Sequence, residues 1–176
     1  MFTKLGVGLI VSFGLMATAC SGASTTRAVA ERPPGAAPAA AAALRFTAET
    51  VAGEDFDGES LAGKHVVFWF WSPYCASCAA EAPAVRSAIA RYAPRGVTFV
   101  GVGGRDDRES MAGFVKRTDT ADVTHIADEQ GEVRQRLGVA GDSTFVFVKP
   151  DGSLTRVSGP LVITTLAAHV DKLLKQ

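Results

Sequence analysis

The chain has 176 residues, 18 Lys and Arg against 18 Asp and Glu, and 47% hydrophobic residues, an ordinary globular composition. Zero formal net charge supplies no basic field, which excludes nucleic acid as a main partner and a purely electrostatic hold on anionic lipid. Three cysteines are too few for a disulfide-stapled scaffold, and their odd number asks what the unpaired one does.

Residues 1–20 have the three-part layout of an export signal. Met1 and Lys4 make a short positive start, Leu5 to Met16 an apolar run, and Ala17-Thr18-Ala19-Cys20 a small-residue end. The run, about twelve residues, falls short of the roughly 20 that a helix needs to cross hydrocarbon, so no permanent span is expected. The end of the segment resembles a bacterial lipoprotein signal, in which the cysteine after small residues is acylated and becomes the mature N-terminus. That resemblance implies lipidation at Cys20. Ala17-Thr18-Ala19 also fits the small-x-small site of ordinary secretion. Either cut puts the mature protein outside the cytoplasm, anchored by lipid to the outer face of the cell membrane or secreted, where disulfides persist. Residues 21–44, rich in Ser, Thr, Ala and Pro, bury too little apolar surface to offset chain entropy and read as a disordered tether.

Residues 45–176 form the expected domain. Arg45 to Val51 and the region of Phe56, separated by Gly53-Glu54-Asp55, suggest an N-terminal hairpin. His65 to Trp71 is a continuous apolar run of strand length, as in a central strand buried on both faces. Val85, Ala88, Ile89 and Tyr92 recur at helical spacing in a segment that stops before Pro94. Val97 to Val102 reads as a strand, Arg108 to Arg117 as a helix, Thr124 to Ala127 as a strand, and Glu132 to Leu137 as a short helix ended by Gly138. Thr144 to Val148 and Leu154 to Val157, joined by Lys149-Pro150-Asp151-Gly152, predict an antiparallel hairpin. Pro160 is placed to open the last helix, with Val162, Leu166, Val170 and Leu173 as its stripe. The order predicts an α/β fold: a central mixed sheet with helices on both faces and an N-terminal β-hairpin.

The chemistry sits in Trp71-Ser72-Pro73-Tyr74-Cys75-Ala76-Ser77-Cys78, where the central strand gives way to a helix. Unpaired N–H groups and the dipole at a helix N-terminus stabilise a thiolate at Cys75, the expected nucleophile. Cys78, one turn further in, is the expected resolving thiol, and the two can close a disulfide. A structural zinc site asks for four ligands. The remaining cysteine is Cys20, and His65, His125 and His169 form no paired motif, so no metal is expected. A peroxidase site resembling that of the peroxiredoxins needs threonine where Ser72 stands and proline at Phe68. Gly101-Val102-Gly103-Gly104 lacks the full dinucleotide fingerprint and reads as a strand end and turn.

Strand, aromatic-Cys-x-x-Cys and helix together resemble the thioredoxin superfamily across residues 45–176. Cys75-Ala-Ser-Cys78-Ala-Ala-Glu81-Ala-Pro83 is similar to the Cys-x-x-Cys-x-x-Glu-x-Pro of its extracytoplasmic TlpA/ResA/DsbE-like group, which includes actinobacterial secreted Dsb-like proteins. The resemblance implies a thioredoxin-like fold and an extracytoplasmic thiol-disulfide oxidoreductase. It needs no cofactor beyond the redox-active Cys75–Cys78 disulfide, acts on thiols and disulfides of exported proteins, and is reset by a membrane redox partner. It also places Glu81 near the active site, where a carboxylate can accept a proton from Cys78, and implies a kink at Pro83. Two departures stand out. Cytoplasmic thioredoxins carry a buried aspartate where this chain has Trp69. The family's cis-proline, whose loop pairs with substrate backbone, is replaced by Ser143 within Gly141-Asp142-Ser143-Thr144, so a trans Asp142–Ser143 peptide is expected. Trp71, Tyr74, Asp142, Ser143 and Thr144 are the expected substrate-binding residues. Oxidative folding is the expected role. The alternatives are reduction of apocytochrome cysteines in cytochrome c maturation, a tethered module that binds metal or peptide through the same cysteines, and a domain whose disulfide is permanent.

Overall fold

The computed structural model describes residues 42–175. The expected export signal, Cys20 and the expected tether up to residue 41 lie outside the described residues. Leu44, at the end of that tether, is buried in the core, so the folded domain begins slightly before Arg45. Among the described residues no helix is long and apolar enough to cross a membrane.

Strands β1 (Thr47–Glu49) and β2 (Asp55–Asp57) pair as the expected antiparallel hairpin. β3 (His65–Trp71) is the middle strand of a five-stranded mixed sheet. On one side it runs parallel to β4 (Val97–Gly104), which runs parallel to β5 (Thr124–Asp128). On the other side β6 (Thr144–Val148) and β7 (Leu154–Ser158) follow as antiparallel neighbours. The helices are α1 (Ala76–Tyr92), α2 (Arg108–Thr118), α3 (Glu132–Arg136) and α4 (Ile163–Leu174).

The period-2 alternation of β3 divides the core. Val67, Trp69 and Trp71 point to the layer formed by α1, α2 and α4. Val66, Phe68 and Phe70 point to the other layer, with Val133, Leu137, Leu44 and Leu61. Helices therefore cover both faces, unequally: three long ones on the first, and on the second only the short α3 with the N-terminal segment.

The last helix departs from expectation. Pro160 does not open it. The Gly159–Pro160 peptide is cis, Val162 is the N-cap and is 62% exposed, and the helix starts at Ile163. Leu161, rather than Val162, takes the buried place, and its backbone N–H is drawn to Glu81 (2.7 Å to Oε1). Residues 159–161 are thus held outside the helix by a partner 80 positions away.

The glycines at 101 and 103 in β4 are packing devices. A Cβ at Gly101 would lie 1.9 Å from Nδ1 of His125, and one at Gly103 2.8 Å from the Trp71 ring. The space they leave holds a buried polar pair. Trp71 Nε1–H donates to His125 Nδ1 (3.2 Å), and His125 Nε2–H donates to the Thr120 carbonyl (2.9 Å). These bonds assign the neutral Nε2–H tautomer, and burial pushes His125 down to about 4. Trp71 also stacks on Phe114, with ring centroids 4.3 Å apart.

Two outcomes are expected. Gly101→Ala, which drives a methyl into an imidazole held on both sides, should destabilise by about 2 to 3 kcal/mol in urea titration. A loss under about 0.5 kcal/mol would show that the histidine has room to move. His125 binds its proton in the unfolded chain before the folded one. Its contribution is therefore complete above about pH 6.5 and lost as pH falls toward about 4, at most about 3 kcal/mol. His125→Gln keeps a donor and an acceptor but cannot titrate. It should flatten the pH dependence of unfolding between pH 7 and 4.5, and an unchanged slope would count against this assignment.

Candidate active site

β3 ends at Trp71, and Ser72, Pro73 and Tyr74 turn the chain into α1, with Cys75 N–H bonded to the Ser72 carbonyl (3.1 Å). Cys75 is itself the N-cap of α1. Its backbone is extended, and its sulfur accepts the N–H of Cys78 (3.1 Å), the role a serine or aspartate oxygen usually fills. The first turn of α1 carries no acidic residue. Cys75 and Cys78 form a disulfide, with Cα atoms 5.2 Å apart. The pair is asymmetric: Cys75 is half-buried and Cys78 is fully buried in the core. Ser77 Oγ lies 3.2 Å from the Cys75 sulfur. An incoming nucleophile therefore meets Cys75 and expels Cys78.

Glu81, one turn beyond Cys78, is 2% exposed. Three donors satisfy its carboxylate. Ser143 Oγ (2.8 Å) and Leu161 N–H (2.7 Å) reach Oε1, and Trp69 Nε1–H (3.1 Å) reaches Oε2. Trp69, at the position of the thioredoxin aspartate, is thus the indole donor to this carboxylate. Gly159 closes the pocket, since a Cβ there would lie 2.1 Å from Oε1.

The loop that precedes β6 is fastened to both sides of the cysteine pair. The Asp142–Ser143 peptide is trans, and Ser143 adopts the left-handed conformation (φ 57°). Its N–H bonds to the Phe70 carbonyl (2.9 Å), its carbonyl accepts from Gly159, and its hydroxyl holds Glu81, so every polar group of the residue is used. Asp142 accepts from Ser72 Oγ (2.9 Å) and pairs with Arg134 (2.9 Å), whose guanidinium also donates to the Gly141 carbonyl (3.1 Å) and lies over the Phe70 ring. Thr144 Oγ1 donates to the Gly141 carbonyl (3.0 Å).

This changes the expected substrate-binding set. Tyr74 is 79% exposed beside Cys75. Trp71 is wholly buried between Phe114 and His125, because it belongs to the two-faced strand, and cannot form a docking surface. Ser143 and Thr144 are buried with their side chains bonded within the loop and to Glu81, and the Ser143 N–H is not free to pair with a substrate backbone. Neither Arg134 nor His125 could be read from local pattern as a support of the site. Each acts through a partner distant along the chain, and the glycines packed against them, Gly101 on His125 and Gly104 on Arg134, are the trace of that crowding.

Residues 39–157 match the family model described as the AhpC/TSA family. The soluble secreted antigen MPT53 of Mycobacterium tuberculosis is 38% identical over 156 residues, across 89% of this chain and 79% of that one. The thiol-disulfide oxidoreductase ResA of Oceanobacillus iheyensis is 30% identical over 118 residues, across 66% of this chain and 60% of that one. The solved structure of MTB dsbF, in its mixed oxidised and reduced forms, matches with a TM-score of 0.71 at 40% identity, over 75% of this chain and 97% of that one. That of a secreted Mycobacterium tuberculosis disulfide oxidoreductase homologous to E. coli DsbE gives 0.68 at 38%, over 74% and 98%.

Ser143→Ala leaves the buried Glu81 carboxylate short of one donor and should cost about 1 to 3 kcal/mol in denaturant titration of the oxidised protein. Equal stability of the alanine variant and the parent would show that the bond contributes nothing.

Proposed function

The chain belongs to the thioredoxin-like AhpC/TSA family and is a thiol-disulfide oxidoreductase, and we propose that it works outside the cytoplasm as a donor of its Cys75–Cys78 disulfide to exported proteins. The observation that carries this reading is the asymmetric disulfide at the N-terminus of α1, half-buried at Cys75 and fully buried at Cys78. The secreted relatives and the signal-like residues 1–20 support the location, with Cys20 as the acylated anchor.

A substrate thiolate attacks the Cys75 sulfur. The bond between Cys75 and Cys78 breaks, its electron pair leaves on Cys78 as a thiolate, and a mixed disulfide joins Cys75 to the substrate. A second substrate thiolate then attacks the substrate sulfur of that bond and expels Cys75. The substrate gains a disulfide, the enzyme gains two electrons, and the protons of the two substrate thiols pass to the enzyme thiols or to water. Glu81, three residues past Cys78 on α1, is the carboxylate proposed to exchange that proton with Cys78. A membrane partner takes the electrons back and resets the pair, with no further cofactor.

The donor direction is supported by what awaits Cys75 once it is reduced. Its thiolate sits among the unpaired N–H groups of a helix start, with no acidic residue in the first turn to oppose it. Stabilising the reduced form makes the disulfide the stronger oxidant. Equilibration against glutathione tests this directly. A potential of about −120 to −200 mV is expected for a donor, and one near about −270 mV would reassign the protein to reduction of its partners. Cys78→Ser should accumulate the mixed disulfide through Cys75 as a covalent adduct on non-reducing gels, whereas Cys75→Ser should form none. Adducts that persist in Cys75→Ser would reverse the two roles.

A further inference from the structure

A groove runs from Cys75 along the seam between α1 and α2. Its first part, a cavity of about 500 Å³, is lined by Tyr74, Cys75, Ala76 and Ala79 and reaches Pro83 and Arg117. At Pro83, Arg86 and Asp119 it meets a second cavity of about 500 Å³ that continues toward Thr120 and Val123. An elongated trough of this kind suits an extended chain better than a small molecule.

Two features give it chemistry. Pro83 stands inside α1 and has no N–H to donate to the Ala79 carbonyl one turn earlier, and both residues line the trough. The Ala79 carbonyl is therefore an acceptor that the helix does not use in the ordinary way. The second feature is charge. Arg86 is paired with Asp119, whereas Arg117, exposed at the rim, makes no ion pair among the described residues. One of its nitrogens donates to the Pro73 carbonyl (3.1 Å), two residues before Cys75. The rest of the fork is open beside the disulfide, and the end of the trough near Cys75 is net positive.

We propose that this trough takes an extended segment of the exported substrate, and that Arg117 selects segments with a carboxylate side chain close to the reacting cysteine. The proposal rests on the disulfide-exchange reading and names the substrate class it favours. A backbone N–H of the segment reaches the Ala79 carbonyl, its apolar side chains cover Tyr74 and Ala76, and its carboxylate meets the Arg117 fork. The same guanidinium, bonded to Pro73, steadies the turn that carries Cys75.

The test uses the oxidised full chain and three reduced peptides, each with two cysteines, that differ only in carrying Glu, Gln or Lys two positions before the first cysteine. Rates of peptide oxidation are followed by quenched mass spectrometry. At low ionic strength the Glu peptide should react about fivefold faster than the Lys peptide, with Gln between them and the spread shrinking as salt is added. Arg117→Gln should bring the ratio of Glu to Lys close to one, and Arg117→Lys should keep part of it. Thermal unfolding of both variants confirms that they fold. Equal rates for the three peptides with the parent protein, or a ratio that survives in Arg117→Gln, overturns the role of Arg117. Oxidation of none of the peptides overturns instead the exchange reading beneath it.

Discussion

The buried carboxylate of Glu81 is the point on which the site is assembled. It stands on α1 one turn past Cys78 and draws a donor from each of three other places: the indole of Trp69 on β3, the hydroxyl of Ser143 before β6 and the N–H of Leu161 before α4. A carboxylate out of water needs such partners, so each segment is held where its donor must be. That requirement explains the left-handed Ser143, the bare Gly159 and the delayed start of α4, which otherwise look unrelated. It also fixes the helix that carries Cys78 against the loop facing it, by hydrogen bonds rather than by a proline ring.

Asp142 completes the arrangement from the other side. With Ser143 holding α1 behind the cysteines and Asp142 holding Ser72 ahead of them, two neighbouring residues bracket the disulfide. Arg134 stabilises this from below, as its fork joins the Asp142 carboxylate to the Gly141 carbonyl. The bracket is polar, buried at Ser143 and Glu81 and half-buried at Asp142 and Ser72, so its parts depend on one another more than isolated surface contacts would.

Most of the fold was legible because it rests on local patterns. The two-faced run of β3, the stripe of α1 and the turn between β6 and β7 are written in spacing and composition. The same holds for Cys75 and Cys78, whose strand-to-helix setting can be read from neighbours alone. What was not legible depends on distant partners. Pro160 follows the usual pattern of a helix opener, but Glu81 competes for the residues after it and wins. Trp71 beside a reactive cysteine suggested a docking surface, although as the last residue of a strand buried on both faces it had to point into a core. Gly101 read only as part of a strand end and turn, and its purpose appears only with His125 across the strand pair.

The position of the tryptophans carries one more consequence. The chain has two, Trp69 and Trp71, and β3 delivers both into the core layer that contains Cys78. Each indole N–H has a defined partner, Glu81 for one and His125 for the other. The tryptophan fluorescence of the protein, excited selectively over its tyrosines, therefore originates wholly in the core layer beneath the disulfide. A change in emission on reduction is a local signal from beneath the disulfide, free of contributions from the rest of the surface, and it follows turnover without any added label.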